Sequence, residues 1–155
     1  MNYWLFKTEP DAFGIDDLAN MSDQTEHWDG IRNYQARNFL RDDVKVGDLV
    51  FIYHSSCKDV GIAGIAEVVK EGYVDHTQFD PECKYHDPKS DPQKPRWYMV
   101  DVKLMRKFDR ILSLKSIKSM SEITQIGLVK KGNRLSIMPV EQVEFEYLLA
   151  QCDAL

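Results

Sequence analysis

Two long runs of strand-forming residues constrain the fold of this chain more than any other feature. The first run consists of GDLVFIYHS (47–55) and VGIAGIAEVVKE (60–71), separated by the polar segment SCKD, which is typical of a hairpin turn. The second run, RWYMVDVKLMRKF (96–108), alternates between two faces as a long strand does. The three glycines of VGIAGIAEVVKEG (60–72) lie inside a predicted strand, where glycine indicates a bend or a close approach of another backbone.

Shorter elements surround these strands. YWLFKT (3–8) predicts a further strand that ends at Glu9-Pro10, and NRLSIMPV (133–140) predicts another. Short helices are predicted at FGIDDLANM, from Tyr34 to Arg41 with Asn33 as its N-cap, at SLKSIKSM, and from Glu141 to Gln151. The sequence therefore predicts an α+β fold, a small mixed β-barrel of about five to six strands with short peripheral helices.

A long loop is predicted between the two runs. Residues 73–96 contain three Asp-Pro steps and Pro95, which exclude regular structure, and long ordered loops tend to be functional. His76, Cys83 and His86 lie in this loop, but their spacing matches no compact zinc signature. We therefore predict no metal site and no cofactor.

Composition is that of a folded domain. The 155 residues are 43% hydrophobic and 29% charged, which predicts one domain over residues 1–155. No apolar run is long enough to cross a bilayer, so no membrane association is expected. Three widely spaced cysteines without a CxxC motif favour reduced thiols and a cytoplasmic location, and we expect a monomer.

Charge is distributed unevenly along the chain. The net charge is -5, which argues against a protein that coats nucleic acid. Residues 94–134 nevertheless hold eleven basic and three acidic side chains, a local excess of +8. This excess is consistent with a phosphate-bearing partner at one surface, where it would flank a binding pocket, and equally with a solvated sheet edge protected by lysines.

The segment WDGIRNYQARNFLRDD (28–43) combines stacking and hydrogen-bonding groups. Trp4 and Trp97 fall on predicted strands and are interpreted as core residues. Trp28 falls outside any regular element, beside Asp29-Gly30 and several arginine and amide side chains. A loop aromatic with such neighbours is what recognition of a nucleobase requires, so we interpret Trp28 as a partly exposed stacking residue.

Two catalytic interpretations compete with base binding. His54 and Cys57 suggest a cysteine hydrolase, but residues three apart in a strand point to opposite faces, and no nucleophile elbow is present. A nucleic-acid-processing enzyme with His54 as acid or base, assisted by Glu9 and Tyr53, is the alternative to a binding module. Because the sequence contains no assembled catalytic motif, a binding module is the preferred interpretation.

Six motifs, in this order, resemble those of the EVE domain family: YWLFKTEP, WDGIRNYQARNFLRD, GDLVFIYHSS, QFDPECKYHDP, RWYMVDV and RLSIMPV. The resemblance covers nearly the whole chain. It implies a PUA-like β-barrel, related to ASCH and YTH domains, that recognises a modified base in DNA or RNA, with a modified cytosine preferred. The chain departs from the family in having Thr8 where serine is more frequent and Met138 where glutamine is more frequent.

The resemblance also implies a set of site residues. The base pocket would be formed by residues near the strand ends and in the Trp28 segment: Thr8, Glu9, Trp28, Asn33, Tyr53, His54, Ser55, Arg134 and Ser136. Trp28 would stack on the extruded base, while Asn33 and groups near Ser55 would contact its polar edge. Phosphates outside the pocket would be held by Arg32, Arg37 and Arg96, together with Arg134.

Overall fold

The structure is a computed structural model that describes residues 1–155. Its centre is one mixed sheet of six strands: β1 Tyr3–Thr8, β2 Thr25–His27, β3 Leu49–His54, β4 Gly61–Val74, β5 Tyr98–Ser113 and β6 Ile137–Val140. The strand order is β2-β5-β4-β3-β1-β6, and only β1 and β3 run parallel. The predicted mixed arrangement of about six strands is confirmed. The edge strands β2 and β6 do not pair with each other, so the sheet is not closed into a barrel.

Five short helices surround the sheet: α1 Pro10–Phe13, α2 Ile15–Asn20, α3 Tyr34–Asn38, α4 Leu114–Lys118 and α5 Gln142–Asp153. The predicted N-cap of α3 is confirmed, because Asn33 Oδ1 accepts a hydrogen bond from the Ala36 N–H at 3.0 Å. The helix predicted over residues 13–21 is present as α2, which begins at Ile15, and the unpredicted short helix α1 precedes it across Gly14. No helix combines the length and apolar character that a membrane span requires.

The two faces of the sheet bury separate apolar cores. Trp4, Phe6 and Ile52 pack on one face with α2 and α3, while Leu5, Phe51 and Tyr53 pack on the other with α4 and α5. This division follows from the alternation of side chains along β1 and β3. Gly64 in β4 shows the predicted close approach of another backbone, since an added Cβ would lie 2.6 Å from the Arg106 carbonyl oxygen.

The proline-rich loop is ordered by one buried glutamine. The Gln78 amide donates hydrogen bonds to the carbonyls of Asp75 and Trp97, and its Oε1 accepts from the N–H groups of Arg96 and Trp97. A short 3-10 turn, His76–Phe79, is the only helical piece in the loop. Tight turns and this amide therefore hold the loop against the β4–β5 pair without regular structure.

Candidate nucleic-acid base site

A cavity of about 730 Å³ opens beside the carboxyl ends of β1 and β3. Its wall comes from five parts of the chain that are distant in sequence: the end of β1 with the segment after it, residues 26–31, Ser55 after β3, the loop residues Lys84 and Tyr85, and the segment before β6. Volumes of about 300–1,000 Å³ are usual for sites that enclose a small molecule or a base. The cavity is therefore the natural place to look for ligand binding.

Trp28 forms the apolar wall of this cavity together with Phe13 and Ile31. The Trp28 ring lies 5.7 Å from Phe6 and 6.2 Å from Phe13, with the second pair edge to face. Only 7% of Trp28 is exposed, and its backbone N–H donates a hydrogen bond to the Val100 carbonyl at 2.7 Å. Trp28 is thus a core residue that also lines the cavity. Its predicted position outside a regular element is confirmed, but the expected partial exposure was wrong.

Backbone hydrogen bonds bring the strand ends together at the cavity. The Ser55 N–H donates to the Thr8 carbonyl at 2.9 Å, and the Lys7 N–H donates to the Ser136 carbonyl at 2.8 Å. The Thr8 hydroxyl donates to the Phe13 carbonyl at 2.6 Å, which fixes the turn into α1. Thr8, Ser55 and Ser136 therefore meet at one wall although 128 residues separate the first from the last.

Two carboxylates on either side of Trp28 in sequence, Glu26 and Asp29, form an acidic wall of the cavity. The Glu26 carboxylate lies 2.9 Å from His27 Nδ1, and Asp29 Oδ2 lies 3.7 Å from His27 Nε2. Burial raises the pKa of Asp29, an effect that His27 opposes. Because carboxylates accept hydrogen bonds, this wall is suited to a ligand that presents an amino group.

Tyr85 forms the remaining wall of the cavity, and it packs on Gly30, which is hydrogen-bonded to the buried carboxylate of Asp75. The Tyr85 ring packs so closely on Gly30 that an added Cβ would lie 2.6 Å from it, and Gly30 has φ +79°. The Gly30 N–H donates to Asp75 Oδ2 at 2.9 Å, and Asp75 also accepts from Thr77 and Arg32. Residue 30 must therefore remain glycine for Tyr85 to keep this position.

Alternating cationic and aromatic side chains extend from this wall to the surface, and we name them the cation–aromatic ladder. Lys84 Nζ lies 4.9 Å from the centroid of Tyr85, and the Arg32 guanidinium lies 5.6 Å from Tyr85 and 5.5 Å from Trp97. Trp97 stacks on Tyr34 at 4.9 Å, and Arg37 lies 5.0 Å from Tyr34. The ladder thus connects the cavity wall with exposed Tyr34.

The EVE domain family model matches residues 2–151. The chain belongs to the EVE domain family. Thymocyte nuclear protein 1 of Danio rerio is 43% identical over 95% of this chain and 70% of its own length. A solved structure of a protein from Leishmania major is 44% identical and superposes with a TM-score of 0.94, covering 99% of this chain and 96% of that one.

A crystal structure of human THYN1 contains DNA with 5-methylcytosine. It is 39% identical to this chain, covers 98% of both chains and superposes with a TM-score of 0.88. The EVE domain predicted from the six sequence motifs is therefore confirmed.

Within this EVE domain, six of the nine predicted pocket residues line the cavity: Thr8, Glu9, Trp28, Ser55, Arg134 and Ser136. Their roles in binding a base stay predictions. The convergence of Thr8, Ser55 and Ser136 follows from the parallel pairing of β1 with β3 and the antiparallel pairing of β1 with β6, while Trp28 is attached to β5 through the Val100 carbonyl.

His54 does not line the cavity, which corrects its assignment to the base pocket. It lies half-buried under α2, where its Nε2 accepts a hydrogen bond from the Ile15 N–H at 3.1 Å. Burial lowers the pKa of His54. Because its Nε2 accepts this bond and its side chain does not line the cavity, His54 supports the start of α2.

We expect the substitution His54→Gln to flatten the pH dependence of stability. The lowered pKa means that folding favours neutral His54, so this contribution is present above about pH 6.5 and is lost as pH falls through the folded pKa. Glutamine offers an oxygen to the Ile15 N–H but does not titrate. The difference in free energy of unfolding between wild type and variant should shrink between pH 8 and pH 5, and parallel curves would contradict this role.

Tyr53 and Asn33 are also displaced from the predicted pocket. Tyr53 is 2% exposed and packs in the core with α4 and α5, since it alternates with Ile52 along β3. Burial raises its pKa to about 12. Asn33 is occupied as the cap of α3, so its amide does not line the cavity.

Arg32 cannot serve as the predicted phosphate ligand. Its guanidinium makes hydrogen bonds from all three nitrogens, to the carbonyls of Ile31 and Tyr85, to Asp75 and to the Thr77 hydroxyl. These contacts use all five N–H donors of arginine. Arg37 and Arg96 lie beside Tyr34 on the ladder, off the cavity wall, and their phosphate role stays a prediction.

Electrostatics at the cavity also differ from the expectation. Of the basic stretch 94–134 only Arg134 lines the cavity, where it joins Lys7 and Lys84. Three carboxylates (Glu9, Glu26 and Asp29) balance these three cations. The expectation that basic groups of residues 94–134 flank the cavity was wrong, because most of these groups lie on β5 or follow it in the chain, away from the cavity lining.

Sequence reasoning missed the acidic wall and Tyr85. β2 is only three residues long and polar, so no alternation marks it as a strand that pairs with β5. Tyr85 lies in irregular backbone, where position depends on the distant Gly30. The Asp29-Gly30 step and the motif QFDPECKYHDP were the only local signals for either feature. In the proline-rich loop, as elsewhere, no group of three or more side chains is placed to hold a metal ion.

Proposed function

We propose that this protein binds DNA carrying a modified cytosine and that the base enters the cavity beside Trp28. The observation that carries the proposal is the human THYN1 structure with DNA containing 5-methylcytosine, a structure that covers 98% of this chain. The cavity of about 730 Å³ in this chain has the size and the mixed lining that such a ligand needs. Binding as a monomer in the cytoplasm, and binding of RNA as well as DNA, belong to the same proposal.

The chemistry of the two walls supports cytosine. The N4 amino group of cytosine is a hydrogen-bond donor that carboxylates accept, and Asp29 and Glu26 offer such acceptors. Lys7, Ser55 and Arg134 on the other wall can donate to the ring nitrogen and carbonyl of the base. A methyl group would lie against the apolar wall formed by Trp28 and Phe13.

The free energies of base extrusion and of the new contacts limit the affinity and the selectivity of such a site. Extruding a base from a duplex costs a few kcal/mol, about as much as one stacking contact and one bidentate contact return. Single-stranded or mismatched targets should therefore bind best. One buried methyl group contributes about 0.8 kcal/mol, which corresponds to roughly fourfold in affinity.

The experiment is a set of titrations with fluorescent oligonucleotides that differ at one base. We expect 5-methylcytosine to bind about fourfold more tightly than cytosine, and thymine to bind more weakly than either because it lacks the N4 amino group. An RNA strand of the same sequence tests the wider partner range. Equal affinity for all three DNA bases would contradict the proposal.

Asp29→Asn tests the acidic wall. Replacing a carboxylate by an amide removes one acceptor from the N4 amino group, so the preference for cytosine over thymine should fall by about 1–3 kcal/mol. Asp109→Asn, at an exposed position of β5, makes the same change of charge and should leave the preference unchanged. A preference that survives Asp29→Asn would exclude Asp29 from base recognition.

The alternative of a base-processing enzyme has no specific support from the geometry. It assigned His54 as acid or base, and His54 is held by the Ile15 N–H away from the cavity. Incubation with the modified oligonucleotide followed by mass spectrometry tests it directly. We expect an unchanged mass, and base-specific turnover would replace the binding proposal.

A further inference from the structure

A second groove, of about 500 Å³, lies where the β3–β4 loop meets the end of β5 and the start of α4. Three of its eight lining residues are cationic, Lys58, Arg110 and Lys115, and only Asp59 is acidic. We call these three cations the basic groove. All three are exposed, and none forms an ion pair within the chain.

The other exposed cations of β5 behave differently. Lys103 lies 3.2 Å from Asp23, Arg106 pairs with Asp153, and Lys107 pairs with Asp16. Each of these cations has a carboxylate from α2, α5 or the segment before β2 beside it. The three cations of the basic groove therefore form no ion pair, and with Asp59 the groove carries a net charge of +2 (three cations and one carboxylate).

The basic groove is connected to the cavity by a short piece of chain. Ser55 lines the cavity and Lys58 lines the groove, so at most about 10 Å of extended backbone separates their α-carbons. Ser55 is fixed to the Thr8 carbonyl, and the Leu114 N–H donates to the Val60 carbonyl at 3.0 Å, which ties the loop to the Arg110–Lys115 segment. Duplex DNA rises about 3.4 Å along its axis for each nucleotide of one strand, so a groove within about 10 Å of the cavity can reach phosphates that flank the bound base.

We propose that the basic groove binds the phosphodiester backbone of the DNA strand whose base occupies the cavity. Lysine and arginine side chains bind phosphate oxygens through charge-assisted hydrogen bonds, and such contacts fix register and carry no sequence information. The groove would hold the flanking phosphates while the cavity reads the base. This proposal rests on the proposed function.

The test is the salt dependence of binding for the triple variant K58Q/R110Q/K115Q. On a duplex that carries the modified cytosine, each neutralised phosphate contributes about 0.9 to the slope with which log affinity falls against log salt. Between 50 and 200 mM salt, each contact therefore accounts for roughly a 3.5-fold loss of affinity. We expect the variant to lose up to three such contacts. The loss of affinity between 50 and 200 mM salt should then be smaller in the variant than in wild type, by a factor of up to about 40. Its ratio of affinities for 5-methylcytosine and cytosine should not change.

The matched control is K103Q/R106Q/K107Q, which removes three positive charges from β5 at positions where each cation forms an ion pair with a carboxylate of the chain. It should keep the slope of wild type. Equal loss of slope in both triple variants would mean that net charge acts, and would overturn the groove. An unchanged slope in K58Q/R110Q/K115Q, with thermal unfolding showing a folded protein, would overturn it as well. If wild type binds no modified-cytosine DNA, the proposed function itself fails, which is a distinct result.

Discussion

The substitution Trp28→Ala should lower the free energy of unfolding by about 3–5 kcal/mol. Trp28 is 7% exposed and packs on Phe6 and Phe13, so removing the indole leaves a cavity that this part of the core cannot refill. Chemical denaturation followed by circular dichroism measures the change.

A control separates the loss of packing from the loss of any aromatic residue. Tyr34→Ala removes a ring that is 51% exposed and should cost much less. Trp28→Phe keeps most of the packing, so it should remain folded and allow a DNA titration in which the shape of the apolar wall is altered. A loss below about 1 kcal/mol in Trp28→Ala would mean that this wall is not part of the core.

The substitution Asp75→Ala should also destabilise the protein, by about 3–5 kcal/mol. Asp75 is fully buried and accepts hydrogen bonds from the Gly30 N–H, the Arg32 guanidinium, and the N–H and hydroxyl of Thr77. Removing the carboxylate leaves these donors without their acceptor. Because the Arg32 side chain is 22% exposed, water can reach it, which favours the lower end of the range.

The pH dependence of the same residue gives a second measurement. Burial alone raises the pKa of Asp75, but the hydrogen bonds from Thr77, Gly30 and Arg32 outweigh it and hold the pKa below its ordinary value. The resulting stabilisation is present above about pH 4, the pKa in an unfolded chain, and is lost as pH falls through the folded pKa. The difference in unfolding free energy between wild type and Asp75→Asn should therefore shrink below about pH 4, and a constant difference would contradict the assignment.

Local signals predicted the fold well. The alternation in β5 and the hairpin between β3 and β4 depend on neighbouring residues, and Asn33 caps α3 because a cap needs only the three residues that follow it. β2 escaped prediction because three polar residues form a strand only when the long β5 lies beside them. The sheet was expected to close into a barrel but is open. Closure would require the edge strands β2 and β6 to pair, and because they are 110 residues apart in sequence, no local pattern indicates whether they do.

The site was predicted in part for the same reason. Thr8 ends β1, Ser55 follows β3 and Ser136 precedes β6, and all three strands were predicted from the sequence. His54 and Tyr53 are one and two residues from Ser55, yet they face α2 and the second core. Arg32 was interpreted as a phosphate ligand because its partner Asp75 lies 43 residues away, beyond any local pattern.

The cation–aromatic ladder has a consequence for the kinetics of association. Binding usually costs about 0.5–1.5 kcal/mol for each flexible side chain that becomes ordered. Lys84, Arg32 and Arg37 already rest on aromatic rings, and Gln78 already joins the ends of the loop that carries Tyr85. That entropy is lost during folding, before any partner arrives. A nucleic acid should therefore meet a rigid wall, and encounter rather than loop closure should set the association rate.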